Sequence, residues 1–171
     1  MALALLALLF LAPVVRADIS AFAGEYSGSA EVVKPGGKTE PRDMSVVIRE
    51  SKDGFTLRWT SVTIKSDGRR KAKTYEITFQ PSGRGDVYAA AMTRNVFGHA
   101  VQLDPMKGEP YVWARIAGDT LTVFSLFVAD NGDYEMQQYD RTLAPGGLEL
   151  VYSSHRNGIP MRVLQTFLKR N

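Results

Sequence analysis

Phe55-Thr56-Leu57-Arg58-Trp59-Thr60-Ser61-Val62-Thr63-Ile64, then the turn Ser66-Asp67-Gly68, then Lys73-Thr74-Tyr75-Glu76-Ile77-Thr78-Phe79-Gln80 decide the fold class. In the first run Phe55, Leu57 and Trp59 alternate with Thr56, Arg58 and Thr60. In the second, Tyr75, Ile77 and Phe79 alternate with Thr74, Glu76, Thr78 and Gln80. A period of two puts one set of side chains on one face of a strand and the other set on the opposite face. The Asp-Gly pair between them supplies the positive φ that a tight hairpin needs. The segment therefore reads as two antiparallel strands.

The same grammar extends along the chain. Asp53-Gly54, Gly118-Asp119, Asn131-Gly132, Gly146-Gly147 and Asn157-Gly158 are further turn pairs. Between them lie runs of strand length, rich in β-branched and aromatic residues. The predicted strands are Glu25–Val33, Met44–Ser51, Phe55–Ile64, Lys73–Gln80, Val87–Met92, Tyr111–Ala117, Thr120–Ala129, Tyr134–Leu143, Leu148–Arg156 and Met161–Lys169, with a weaker one at Ala100–Leu103. Met161, Val163, Gln165 and Phe167 form one face of the last run. No stretch past residue 17 keeps a helical period for three turns. Hairpin-length connections make the topology mainly up-and-down and antiparallel. About ten strands must hide their edges, and closure into a barrel does so. A two-sheet sandwich is the alternative.

The first residues, from Met1 to Val15, are almost wholly apolar and stop at Arg16. That run is shorter than the roughly 20 residues a bilayer span requires. It has the length of a signal-peptide core, and Val15-Arg16-Ala17 suits cleavage after Ala17. The expected organisation is a signal peptide over residues 1–17 and one domain over 18–171. The expected location is outside the cytoplasm: periplasmic in a Gram-negative bacterium, otherwise secreted. The net charge is +3, and loss of Arg16 leaves +2. That mild charge is not the signature of a nucleic-acid binder. With no cysteine in the chain, disulfides, thiolate chemistry and lipid modification of a cysteine are excluded.

Asp18-Ile19-Ser20-Ala21-Phe22-Ala23-Gly24 precedes the first strand. Asp18 or Ser20 can cap one helical turn, Gly24 can end it, and Phe22 would plug one barrel end. A helical turn followed by Gly24-Glu25-Tyr26 resembles the Gly-x-Trp opening of lipocalins and related calycin barrels, with Tyr26 in place of the tryptophan. Asp133-Tyr134 is similar to a later lipocalin motif. The resemblance implies a basic residue from the last strand packed on the first-strand aromatic, for which Arg162 and Lys169 are the candidates. It implies a calyx fold over residues 18–171, and fold alone does not fix function.

Chemistry-bearing motifs are sparse. Gly-x-Ser-x-Gly, a phosphate-binding glycine loop and His-Glu-x-x-His are all missing. Two histidines, His99 and His155, fall short of a zinc site, and no cofactor or metal is called for. The carboxylates Glu76, Asp104, Glu135 and Asp140 are scattered. Thr93–Glu109 is the longest stretch without strand pattern and carries Arg94, Asn95, His99 and Asp104, either as a lid or as a connection across a barrel end. Lys65, Arg69, Arg70, Lys71 and Lys73 surround one turn and read as a solvated hairpin tip. Arg84-Gly85-Asp86 reads as a turn.

Three function classes follow. The first is a binding module that holds a hydrophobic or amphipathic small molecule, its interior lined by Tyr26, Phe55, Leu57, Trp59, Tyr75, Ile77, Phe79, Trp113 and Tyr134. The second is an envelope structural or interaction protein with a filled barrel. The third is an enzyme using Arg94, His99 and Asp104. Thr120–Ala129 is apolar on both faces, with Leu121, Val123 and Phe127 backing onto Phe124, Leu126 and Val128. One set is expected to line the barrel. The other is expected to lie under the Asp18–Gly24 segment or a second subunit, so a homodimer through this strand is a candidate.

Overall fold

A computed structural model describes residues 18–33, 39–91, 93–94, 100–101 and 103–171. In chain order the elements are helix α1 (Ile19–Phe22), strands β1 (Gly24–Val33), β2 (Thr39–Ser51), β3 (Gly54–Ile64), β4 (Arg70–Pro81), β5 (Val87–Ala91), β6 (Thr93–Arg94) and β7 (Ala100–Val101), and a 3-10 turn (Pro105–Lys107). Strands β8 (Tyr111–Ala117), β9 (Thr120–Val128), β10 (Tyr134–Ala144), β11 (Gly147–Arg156) and β12 (Ile159–Arg170) complete it. Ten strands close into an antiparallel barrel in the order β1-β12-β11-β10-β9-β8-β5-β4-β3-β2, and β6 with β7 makes a separate two-stranded ribbon. The expected all-β meander barrel is therefore the observed fold, and the sandwich is not.

The turn pairs sit at hairpin corners. Asn157 (φ 50) and Gly158 (φ 79) both take the left-handed region between β11 and β12, as a two-residue primed turn requires. Gly54 does a different job: a Cβ there would run into the carbonyl of Phe79, so only glycine lets β3 approach β4 at this corner. The first pairing in β3–β4 is Phe55 with Phe79, followed by Leu57 with Ile77 and Trp59 with Tyr75. The register is the one the alternation demanded.

Asp18 caps α1, its carboxylate accepting from the Ile19 amide at 2.7 Å. Ile19 and Phe22 are buried and plug one barrel end. Around them pack Tyr26, Ile48, Phe55, Leu57, Phe79, Leu121, Leu148 and Leu168. The Phe55 and Phe79 rings stack at 4.9 Å, with Tyr88 edge-on to Phe55 at 5.2 Å. This half of the barrel is solid.

Three placements differ from the sequence reading. The basic residue on the Tyr26 ring is Arg170, not Arg162 or Lys169. Arg162 points into the barrel instead, because Leu164 and Leu168 on the same parity are its buried neighbours. Trp113 lies on the outer face: Val112, Ala114 and Ile116 take the inside, and Trp113 stacks on Phe124 at 4.9 Å. Tyr134 is 42% exposed beside the Asn157-Gly158 turn rather than in the lining. On β12, whose two faces the sequence did not assign to inside or outside, the face of Met161, Val163 and Phe167 is the wet one, with Val163 72% exposed.

On β9 one apolar set lines the barrel, and the other lies outside without the helix over it. Leu121 and Val123 are buried inside, while Phe127 on the same parity is 43% exposed near the opposite end. Phe124 and Leu126 lie on the outer face, opposite Trp113 and Tyr111 of β8 and Gln138 and Met136 of β10. This row of neighbours in the same sheet leaves both side chains half-buried. Helix α1 is not the cover, since it packs into the barrel end among core residues.

Candidate functional site

On β2, β10 and β12 the inner face starts with a large apolar side chain at the plugged end and becomes polar further along. On β2 the inward series is Ile48, Val46, Met44, Arg42; on β10 it is Leu143, Arg141, Tyr139, Gln137; on β12 it is Leu168, Thr166, Leu164, Arg162. Here packing stops and a cavity of about 230 Å3 opens toward the end remote from α1. Val46, Trp59, Leu150 and Leu164 form its apolar floor and wall, and Tyr75, Tyr139 and Tyr152 supply aromatic faces. Trp59 stacks on Tyr75 at 5.2 Å and leans on Tyr139 at 5.9 Å. Tyr152 meets Tyr139 at 4.8 Å.

One wall is fixed by a chain of hydrogen bonds along β10. The Tyr139 hydroxyl donates to Gln137 Oε1 at 3.0 Å, Gln137 Nε2 donates to Glu135 Oε1 at 2.8 Å, and Arg156 donates to Glu135 Oε2 at 3.0 Å. The Gln137 and Arg156 bonds hold the Glu135 carboxyl below its usual range, so it is an anion with its acceptors occupied. Burial pushes the Tyr139 hydroxyl far above the usual phenol range, and it stays a neutral donor.

Arg141 is the anomaly. It is 1% exposed, and its Nε and Nη1 find no hydrogen-bond partner. It is opposed in register by Leu121 and Leu150 and lies over the Tyr139 ring at 5.6 Å. Burial lowers its pKa to about 10, which leaves it cationic at neutral pH. Its sequence neighbour Asp140 faces the other way, accepting from Thr122 at 2.7 Å and Gln138 at 2.8 Å. Arg42, which shares the cavity, also has an unpartnered buried Nε, and its guanidinium meets Glu40 only at 3.9 Å.

Of the nine lining residues expected from sequence, Trp59 and Tyr75 line this cavity. Tyr26, Phe55, Leu57, Ile77 and Phe79 are brought together in the solid half as core. Trp113 and Tyr134 stand apart from both, as described. In the long loop, Asp104 caps the 3-10 turn, accepting from the Met106 amide at 3.0 Å, and its own amide donates to Glu109 at 2.8 Å. The backbone of Arg94 pairs with Ala100 in the small ribbon. Asn95 and His99 lie outside the described residues. Among the described residues no group of His, Asp and Glu is arranged to hold a metal.

At the basic turn, Arg69 pairs with Asp67 at 2.6 Å and Arg70 with Asp43 at 2.8 Å, so the tip is partly neutralised. Lys73 departs from that group and lines the cavity. Sequence reading missed Arg42, Arg141 and Arg162, Tyr139, Tyr152 and Gln137. The signal was present in Gln137-x-Tyr139-x-Arg141-x-Leu143, where one parity carries polar groups large enough to fill a barrel interior. No family model matches the chain, and no curated protein matches it.

Proposed function

We propose that this protein is a binding module that takes a small amphipathic molecule into the open half of its barrel, and that residues 1–17 direct its export. The observation that carries the binding reading is the asymmetry of the interior. One half is packed solid from Phe22 to Phe79, while the other leaves about 230 Å3 between aromatic rings and polar groups. A barrel that served only as a scaffold gains stability by filling that space with aliphatic side chains. The volume is below the roughly 300–1,000 Å3 of pockets that enclose drug-sized ligands. It suits a small ligand, or one end of a longer ligand whose remainder leaves through the mouth. Tyr75, 48% exposed, stands at that mouth.

Export rests on the apolar run that ends in Val15-Arg16-Ala17. Binding is tested with N-phenyl-1-naphthylamine, a neutral aromatic probe, on a Trp113→Phe variant in which Trp59 is the remaining tryptophan. Saturable quenching of Trp59 at one probe per chain is expected. Absence of saturable binding, together with native mass spectra of protein from its own host that carry no adduct, overturns the reading.

A further inference from the structure

We infer that the molecule this cavity accepts carries an anionic group, a carboxylate, sulfonate or phosphate, and that Arg141 is the residue that recognises it. The inference rests on the small-molecule reading above and gives that ligand its chemistry. Arg141 lines the cavity with a charge buried to 1% exposure and two guanidinium nitrogens, Nε and Nη1, without acceptors. A guanidinium has five donors and no way to shed its charge near neutral pH, so it demands an acceptor wherever it is held. An uncompensated buried charge is strongly unfavourable, and a hydrophobic side chain of the same volume fits a barrel interior better. The residue makes sense when an anion completes the site.

The surroundings point the same way. Arg42 presents a second unpartnered buried Nε in the same cavity. Lys73 and Arg162 line its exposed outer part. No carboxylate is among the described residues that line it. Cations thus run from the mouth to the floor, an arrangement that draws an anion inward and meets it with a planar fork suited to carboxylate, sulfonate or phosphate oxygens. The Trp59 and Tyr139 rings beside the fork accommodate the apolar part of such a molecule.

The experiment compares two probes of like shape: 1-anilinonaphthalene-8-sulfonate, which is anionic, and neutral N-phenyl-1-naphthylamine. Wild-type protein is expected to bind the sulfonate at least tenfold more tightly. Arg141→Met is expected to lose at least tenfold in sulfonate affinity and to abolish the preference for the sulfonate over the neutral probe. Arg141→Lys, which keeps charge but not the fork, is expected to fall between. Far-ultraviolet circular dichroism checks that the variants fold. Should both variants misfold, the wild-type comparison decides alone, with raised salt weakening the sulfonate and sparing the neutral probe. Equal affinity of wild type for both probes overturns the anion inference and leaves the binding reading standing. Binding of neither probe, with no adduct in native mass spectra of protein from its own host, overturns the binding reading itself.

Discussion

The guanidinium of Arg170 lies 5.2 Å above the ring of Tyr26 and donates to its hydroxyl at 2.7 Å. That hydroxyl in turn donates to the Phe22 carbonyl at 2.8 Å, and Arg170 reaches the Ala21 carbonyl at 3.3 Å. The last strand, the first strand and the C-terminal end of α1 are thereby tied at one point. The β1–β12 seam needs such a tie, because its paired register is short, Tyr26 with Arg170 and Ser27 with Lys169.

Arg170→Ala is expected to destabilise the domain by about 1–3 kcal/mol, the range for a lost cation–π contact plus a hydrogen bond to a charged group. Tyr26→Phe, which keeps the ring, is expected to cost about 1 kcal/mol. Urea midpoints at constant slope measure both. An Arg170→Ala midpoint equal to wild type would mean that the seam is held by pairing alone.

Arg141→Met is expected to leave the domain at least as stable as wild type, with a gain of up to about 1–4 kcal/mol, since it replaces an unpartnered buried cation by an apolar side chain of similar length. Its thermal midpoint without ligand is the measurement. A large loss would show that the guanidinium already has its partner within the fold.

Trp59→Ala is expected to cost roughly 3 kcal/mol, the low end of large-to-small aromatic changes, because Trp59 borders a cavity and is only half-buried. Guanidinium denaturation read by circular dichroism tests it. An unchanged midpoint would place the ring in water and break the Tyr75–Trp59–Tyr139 wall.

Leu126→Lys and Leu121→Lys separate the two faces of β9. Leu126 is outside and half-buried, where a lysine stem can lie along its neighbours with the ammonium in water, so a loss of about 1 kcal/mol or less is expected. Leu121 is fully buried in the core, and a lysine there is expected to unfold the domain or cost several kcal/mol. Sedimentation of the Leu126→Lys variant beside wild type reads the dimer separately: a fall in mass on substitution would reveal a second copy seated on this face.

Edman sequencing of protein recovered outside the cytoplasm is expected to begin at Asp18. Recovery of a chain that retains Met1 would remove the export proposal and leave the barrel chemistry untouched.

The sequence by itself determined the ten barrel strands and the hairpins that join most of them, but not the small β6–β7 ribbon. Turn pairs such as Asn157-Gly158 fix where the chain reverses, and local φ preference acts without regard to what packs elsewhere. It determined the sides of β3 and β4 as well, because Phe55, Leu57, Ile77 and Phe79 oppose polar residues at every step. It did not reveal the start of β2 at Thr39 instead of Met44, since Pro41, Arg42 and Asp43 carry no apolar alternation. Only the closed barrel decided which face of β8, β9 and β12 is inside. Alternation defines two faces, but their assignment depends on the neighbours with which a strand is in register, and Trp113 and Phe124 satisfy each other outside as well as they would within. The site was hidden for the same reason. Reading hydrophobic residues as interior fails where the interior is built to hold a charge, and Arg42, Arg141 and Arg162 become one site only when β2, β10 and β12 curve around a common axis.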